Sequence, residues 1–555
     1  MLQIPESILD YLSSFSFRGE SGLRPAGSSI EYTDEMIEEY KKCANDPIYF
    51  IEKYVKVVHI DKGVVPMKLY PYQKKMIEAY HQNKRCITML FRQAGKTTTT
   101  AAFITWYIIF NDDKIVAVMA NKAATAREIV GKIRLAYTNL PKWLQQGVKV
   151  WNKGSIELEN GSRVISGATS ASAIRGFSIS LLYLDELAHL NNKLAEEFFT
   201  SVFPTISSGK ESKILISSTP NGYNMFHKLW VDAEKTSKGE KGGNGFFHQR
   251  FDWWEHPERD QAWADEQRAI LGELKYNQEV LMTFLGSSKT LLNNDTLARL
   301  AFDNPIKEYD GQEAGLKIYK WPEKNRSYVI TVDVSRGRHM DYSAFTIFDI
   351  SDYPHTIAAT YRNNEISPLL YAALINNVGR KYNMAYALIE INDIGGQVAD
   401  TLWNEYEYEQ MFWTKSGEVL GKTGVDPYPG IRTTKKTKRI GCANLKDLID
   451  NNQLIINDFY QIQELSTFVQ KDNGSYEADD GFNDDTVATL WLHAWLCSQP
   501  WFSELTDHNL RIKLHSQHEK EMEEMLLMPY IIDGTEEYVT EVSPAGYQVN
   551  TNWDF

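Results

Sequence analysis

One short stretch constrains this chain more than any other. An apolar run at residues 86–91 (CITMLF) passes through Arg92, Gln93 and Ala94 into Gly95, Lys96, Thr97 and Thr98, and an apolar helical segment, 97–110, follows. A strand that turns at a glycine into a helix aims the N–H groups of the first helical turn at one point, where an anion is favoured. A lysine directly after that glycine reaches the outer phosphates of a nucleotide, and the next hydroxyl suits Mg2+. The usual first glycine of such a loop is replaced here by Leu90. A plain structural turn is the alternative reading of these residues taken alone.

The surroundings favour the nucleotide. Between 85 and 218, short apolar runs (86–91, 115–120, 181–184, 214–217) alternate with helical stretches, which is the pattern of a parallel α/β sheet. The run 181–184 (LLYL) ends in Asp185 and Glu186. An aspartate at the carboxyl end of such a strand holds Mg2+, and an adjacent glutamate can orient and deprotonate a water. The bland reading is an acidic pair that ends a strand at the surface. The run 214–217 ends in Ser218, Thr219, Pro220, Asn221 and Gly222. That turn can touch a γ-phosphate from a neighbouring strand, or can simply be a turn. The order of the three motifs, each after a strand, supports one site.

A second α/β pattern runs from 328 to about 498 and carries acids in apolar surroundings. Strand 328–334 (YVITVDV) bears Asp333, and a loop returns through Asp341 into a second strand, 343–350. Strand 385–391 (AYALIEI) bears Glu390. Asn483, Asp484 and Asp485 precede an amphipathic helical spacing of Val487, Leu490, Trp491, Ala494 and Trp495. Buried acids without partners are costly, but several that converge can hold divalent cations that activate water for phosphodiester hydrolysis. Each also has a plain alternative: helix-start acids favoured by the dipole, or edge-strand acids facing solvent. Spacing alone leaves convergence open.

At 555 residues the chain has room for two to four domains of roughly 150 residues each. Its net charge of −14 excludes a simple basic coat for DNA, so any DNA contact must be local. Cys43, Cys86, Cys442 and Cys497 lack paired spacing, which points to a reducing compartment and away from a zinc cluster. No apolar run approaches the roughly 18 residues of a membrane span, and no secretory signal is apparent. Residues 1–80 read as helical, 236–245 as a solvated loop, and 303–325 as a boundary rich in Pro, Gly and charge. The expected layout is 1–305, a linker at 306–325, 326–500, and an acidic tail at 501–555.

The motifs resemble those of the large terminase subunits of tailed bacteriophages, in their T-even-like branch. FRQAGKTT is similar to that family's arginine-containing phosphate loop, which also lacks the first glycine. LLYLDE resembles its second ATPase motif and SSTPNG its coupling motif, here Thr219, Pro220, Asn221 and Gly222. WNKGSIELENGS (151–162), AIRGFS (173–178) and PYQKKMI (71–77) also match. TVDVSRGRHMDYSAF, LIEINDIGG and GFNDDTVATL resemble the acidic motifs of the terminase nuclease, and KTKRIGCANLKDLI (436–449) matches too. Asn483 departs from relatives that have His there.

The resemblance implies an α/β P-loop ATPase with a parallel-rich sheet, followed by a ribonuclease-H-like α/β nuclease. It implies ATP with Mg2+ on Gln73, Arg92, Gln93, Ala94, Gly95, Lys96, Thr97, Thr98 and Asp185, with Gln73 reading adenine. Glu186 would be the base and Arg92 an arginine finger, with Arg175 a weaker candidate for charge supplied between subunits. For the nuclease it implies Mg2+ or Mn2+, two ions by preference, on Asp333, Glu390 and Asp485, with Asp341 and Asp484 auxiliary. Lys435, Lys436, Lys438 and Arg439 would meet DNA phosphates. The implied partners are double-stranded DNA, the portal protein of the procapsid and a small terminase subunit. The resemblance also implies a homo-oligomeric ring on the portal, in the cytoplasm of the infected host, with no membrane. The rivals are a helicase–nuclease, which needs a second motor domain where the acids stand, a strand-transfer enzyme, and a non-catalytic shell protein.

Overall fold

The computed structural model describes residues 11 and 14–502, except 60, 171–173, 175, 208, 288, 336–340, 416–417, 421–427, 472–473, 480 and 501. Arg175 and nearly all of the expected tail lie outside the described residues.

The chain enters through helices Asp34–Asn45 and Pro47–Tyr54, capped by Thr33 and Asp46 side chains that accept backbone N–H groups. The first 80 residues were expected to be helical throughout. They also contain an antiparallel hairpin of β1 (Lys56–His59) and β2 (Gly63–Pro66), because paired valines favour the pleated surface.

The first large sheet contains β3 (Arg85–Leu90), β4 (Ile115–Ala120), β5 (Val148–Trp151), β6 (Ser155–Leu158), β7 (Arg163–Ala168), β8 (Leu181–Asp185), β9 (Lys213–Ser218) and β10 (Phe247–Phe251), in the order β10-β3-β9-β8-β4-β7-β6-β5. From β10 to β7 all pairings are parallel, and β6 and β5 add an antiparallel edge. Its central strands are buried along almost their whole length, as a sheet covered on both faces requires. Helix Lys96–Phe110 is buried on every side from Thr99 to Ile109, which its apolar composition permits. Register sets Asp185 beside Ser217 and Met89 beside Ser218, so three strands end at one level.

The second sheet contains β11 (Lys307–Glu308), β12 (Leu316–Ile318), β13 (Tyr328–Asp333), β14 (Ser343–Asp349), β15 (His355–Asn363) and β16 (Tyr386–Ile389) in the order β11-β12-β15-β14-β13-β16. Strand β13 runs antiparallel to β14 and parallel to β16. Short strands β17 (Trp413–Lys415), β18 (Glu418–Leu420) and β19 (Tyr428–Pro429) form a separate sheet. Strand β20 (Leu454–Ile455) adds to β15, and β21 (Phe468–Gln470) pairs with β22 (Tyr476–Ala478).

Two sequence expectations are corrected here. The stretch 306–325 is not a free linker: Leu316 and Ile318 are buried and β12 pairs with β15. Burial of two apolar side chains outweighs the Pro, Gly and charge that make the stretch read as a linker. The solvated loop starts late, because helix Met225–Lys238 continues to Lys238 before Gly239, at φ +69°, ends it.

Helix Asp485–Cys497 lies against β13 and β14, where Thr331 donates to the Thr489 carbonyl at 2.8 Å and the Thr346 and Thr489 hydroxyls meet at 2.6 Å. It is buried nearly all round from Thr486 to Leu496 rather than amphipathic. The helix Lys435–Asp450 crosses it at Gly441, where a Cβ would stand 2.6 Å from the Trp491 carbonyl oxygen and 2.8 Å from its ring. Neither the backbone oxygen nor the buried indole can yield. Gly441→Ala is therefore expected to destabilise the chain by about 1–3 kcal/mol, measured by urea unfolding; an unchanged midpoint would show that the two helices separate freely.

Candidate active sites

The phosphate loop is built by backbone geometry first. Gln93 (φ +64°) and Gly95 (φ +73°) both lie in the left-handed region. A Cβ at residue 95 would come within 2.9 Å of Gln73 Nε2, which would have to shift, but it is the positive φ that calls for glycine there. The loop carbonyls are engaged from outside. The Tyr72 hydroxyl donates to the Ala94 carbonyl at 2.7 Å, and Gln73 Nε2 donates to the same oxygen at 3.3 Å. Arg259 donates to the carbonyls of Arg92 (3.2 Å) and Gln93 (3.0 Å) while its guanidinium rests over Phe91 and Trp263. Residues 91–98 line one wall of a cavity of about 480 Å3, which Asn121, Lys132, Glu186, His189, Thr219 and Glu279 complete.

Across the cavity the acids of β8 meet Lys96. Its ammonium lies 3.7 Å from Asp185 and is paired directly with Glu186. Asp185 is buried and accepts from the Tyr183 hydroxyl at 2.9 Å and the Ser217 hydroxyl at 3.2 Å. Glu186 sits at φ +56°, an uncommon conformation for a side-chain-bearing residue, with its N–H donating to the Ser217 carbonyl. Its carboxylate accepts from the Ser218 hydroxyl and the Thr219 N–H. Burial alone would raise its pKa, but Lys96, His189 and the Thr219 N–H together bring it below the usual range.

Several other side chains here were not anticipated from sequence. His189 contacts the Thr219 hydroxyl at 2.9 Å and Glu186 at 3.7 Å. Lys132 donates to the Thr98 hydroxyl at 3.0 Å. Gln278 donates to the Pro220 carbonyl and to the Asn221 side chain, while the adjacent Glu279 accepts the Arg92 N–H through its carbonyl and pairs with the Arg92 side chain at 3.7 Å. One dipeptide thus holds both the phosphate loop and the turn 219–222, in which Gly222 has φ +73°. The Arg92 guanidinium is largely exposed. Gln73 is buried with both ends of its amide engaged, its oxygen accepting from the Tyr70 N–H. In this structure it braces the loop from behind.

In the second half of the chain, acids from three separate elements converge. Asp333 ends β13, and Glu390 follows β16 directly, its N–H donating to the Val332 carbonyl. A Cβ on Gly395 would stand 1.8 Å from the Glu390 carbonyl oxygen, so the close helix start behind Glu390 requires glycine. Asp333 hydrogen-bonds to Glu390, and burial first, then the charges of Glu390, Asp485 and Asp484, push its pKa well up. Burial, with Glu464 next, pushes Asp485 up to about 8. Hard oxygen donors gathered this way suit a hard divalent cation.

The adjacent aspartates differ in place. Asp484 precedes the helix and accepts from Lys438 at 3.3 Å, whereas Asp485, in the first helical turn, accepts from Asn483 at 3.2 Å; the charges of both act on Asp333. Asp341 is exposed, with its carbonyl accepting from Ser335. Lys435, Lys436, Lys438 and Arg439 line a cavity of about 560 Å3 with Thr433, Thr434 and Tyr476.

Glu464 was missed from sequence. Fully buried, it accepts from the Thr486 and Val487 N–H groups and the Thr486 hydroxyl, fixing the first turn that carries Asp485. Arg362 reaches Glu464 at 3.6 Å and Glu196, on helix Asn192–Ser201 of the first half, at 3.9 Å. No local pattern in the sequence marks either residue.

A family model described as terminase large subunit, T4likevirus-type, N-terminal, matches residues 87–299, and one described as terminase RNaseH-like domain matches 330–494. Among solved structures, the chain is similar to the HK97 bacteriophage large terminase, at 13% identity and TM-score 0.46, over 82% of this chain and 99% of that one. It is also similar to the large terminase ATPase domain of Thermus phage P74-26, at 22% identity and TM-score 0.31, over 38% of this chain and 92% of that one.

The acid cluster has a thermal signature. Because Asp333 and Asp485 hold protons more tightly folded than unfolded, their contribution to stability is complete below the ordinary carboxylate pKa of about 4; the part due to Asp485 is lost as pH rises through about 8, and the part due to Asp333 as pH rises through its own raised range. The melting temperature in EDTA is expected to fall across that window, and Asp485→Asn to flatten the fall. Added Mg2+ restores the melting temperature at the upper end. A profile identical in wild type and Asp485→Asn would mean that the carboxylates do not repel one another.

Proposed function

This chain belongs to the large terminase family, and from that premise we propose how its two sites divide the work of packaging and cutting DNA. The chain is an ATPase and a nuclease. In this reading the motor spans 1–305 and the nuclease 326–500, with the hairpin β11–β12 counted with the nuclease sheet and 501–555 as a tail. ATP hydrolysis drives double-stranded DNA into a procapsid, and the nuclease cuts concatemeric DNA when packaging starts and when it ends. The motor works as a ring on the portal protein with help from a small terminase subunit, in the cytoplasm of the infected bacterium and without a membrane. The observation that carries the reading is convergence: Lys96 lies against Asp185 and Glu186 in one half, and Asp333, Glu390 and Asp485 meet in the other.

At the motor site, residues Gln93 to Thr98 hold the phosphates of ATP, and Thr97 and Asp185 hold Mg2+. Held there, Mg2+ would offset charge on the outer phosphates. A triphosphate competes for the Lys96 ammonium that otherwise pairs with Glu186. As Lys96 turns to phosphate, Glu186 loses the charge that keeps its pKa low and becomes a better base for the water it orients. Arg92, exposed and loosely tied to Glu279, supplies positive charge to the transferring phosphoryl group. Gln278 and Glu279 pass a shift of the phosphate loop to Thr219, Pro220, Asn221 and Gly222. Gln73 holds the Ala94 carbonyl.

At the nuclease site Asp333, Glu390 and Asp485 hold Mg2+ or Mn2+, two ions by preference, with Asp484 and Asp341 auxiliary. Cations held there would activate water and offset charge on the leaving oxygen. Lys435, Lys436, Lys438 and Arg439 guide DNA phosphates toward the acids.

Single substitutions separate the two activities. Glu186→Gln is expected to lower ATP turnover by roughly 10²–10⁴-fold while metal-dependent plasmid cutting persists; near-normal turnover would remove Glu186 as the base. Asp485→Asn abolishes cutting and leaves ATPase intact, with Asp484→Asn milder; the reverse ranking would exchange their roles. Arg92→Ala lowers kcat by roughly 10³–10⁵-fold with little change in KM if it stabilises the transition state. A raised KM with kcat intact would instead make Arg92 a ground-state phosphate clamp.

A further inference from the structure

A second cluster of ligating groups lies at the far end of the helix that carries Asp485. His493 and Cys497 stand one helical turn apart on one face of helix Asp485–Cys497, and His355 opens β15 beside them. His355 Nδ1 lies 3.0 Å from His493 Nε2, and Cys497 Sγ lies 3.5 Å from His493 Nε2 and 4.0 Å from His355 Nδ1. Each residue offers one possible ligand atom, and the three atoms lie within 4.8 Å of one another.

We propose that His355, His493 and Cys497 form a binding site for a borderline-soft divalent cation, zinc by preference, separate from the acidic nuclease site. Zinc bonds of about 2.0–2.1 Å to nitrogen and about 2.3 Å to sulfur, at tetrahedral angles, put two nitrogens roughly 3.4 Å apart and nitrogen and sulfur roughly 3.6 Å apart. The three measured edges lie within a few tenths of an ångström of those values. Two imidazoles and a thiolate select zinc over the Mg2+ suited to carboxylates.

Three further features favour a cation here. The rings are held in place by neighbours, Phe348 stacking on His493 with centroids 3.9 Å apart and Tyr353 on His355 at 4.3 Å. The donors gather at a helix C-terminus, whose carbonyl dipoles favour positive charge. Both histidines are buried and Cys497 is partly so, with burial pushing its thiol pKa up. Burial lowers the pKa of His355 to about 4, which keeps the imidazole in its neutral, ligating form. On binding, the Cys497 thiol gives its proton to solvent and sulfur bonds the metal as thiolate. Asp485 and Cys497 are the two ends of this helix, about 18 Å apart at 1.5 Å per residue. Zinc would tie its last turn to β15 and so hold in place the helix that presents Asp485 to the other acids.

The test uses the full chain, stripped with a chelator and returned to excess Mg2+ to occupy the acids. Co2+ is then titrated as a spectroscopic substitute for zinc. The expected result is one equivalent of Co2+ with a thiolate-to-cobalt charge-transfer band, displaced by one equivalent of Zn2+. Cys497→Ser, with circular dichroism matching wild type, loses the band and weakens zinc binding by roughly 10- to 100-fold or more. The double variant Asp333→Asn/Asp485→Asn keeps the band. Independently, Zn2+ slows alkylation of Cys497 in the wild-type chain, read by peptide mass spectrometry, so the test survives a variant that fails to fold. Absence of a thiolate band in folded wild type, a band that persists in Cys497→Ser, or alkylation unaffected by Zn2+ would each overturn the site and leave a hydrogen-bonded pair of neutral histidines.

Discussion

The parallel register of β3, β9 and β8 is the constraint on which the motor half depends. Parallel strands all point the same way, so whatever follows each one emerges on the same edge of the sheet. Here β9 lies between β3 and β8, and its pairings set Met89 beside Ser218 and Ser217 beside Asp185. The phosphate loop, Glu186 and the turn at Thr219 are far apart in sequence, Thr219 lying 123 residues beyond Lys96, yet in space they share one cavity. A register slip of one residue would turn the Asp185 side chain to the other face of the sheet.

In the second half, the same economy of position works against electrostatics. Asp333, Glu390 and Asp485 are brought together in poor contact with water, and burial first, then the charges of neighbouring acids, raises the proton affinity of Asp333 and Asp485. The scaffold that holds them is correspondingly specific. Glu464 caps the first turn of the helix, Gly395 allows a helix to begin against the Glu390 carbonyl, and Gly441 allows another helix to close over Trp491. Arg362 lies between Glu464 and Glu196, so a residue of the motor half shares a cation with the residue that positions Asp485.

Gln278 and Glu279 play the equivalent part in the motor half. They end a helical segment interrupted at Gly272, and each grips a different loop of the cavity. Arg259 and Gln73 hold the outer side of the phosphate loop, so its shape is determined by contacts made from behind as much as by its own glycine.

Gly95-Lys96-Thr97, Asp185-Glu186 and the turn 219–222 were legible in the sequence because each is a local pattern: a strand, a defined turn, a reactive residue. The α/β class, both acid-bearing strands and the helix after Asp485 were legible for the same reason. The hairpin β11–β12 was hidden because Pro, Gly and charge outnumber the buried Leu316 and Ile318 that fix it to β15. Glu464, Arg362, His189 and Arg259 were hidden because their partners are distant in the chain and no spacing rule links them. The sequence alone determined which residues have the chemistry to bind phosphate or metal. Only the tertiary structure decided that Asp333 meets Glu390 while Asp484 pairs with Lys438, that Gln73 spends its amide on the phosphate loop, and that His355 meets His493 and Cys497. Side-chain direction depends on helix phase, strand register and packing, and those are settled by the whole fold at once.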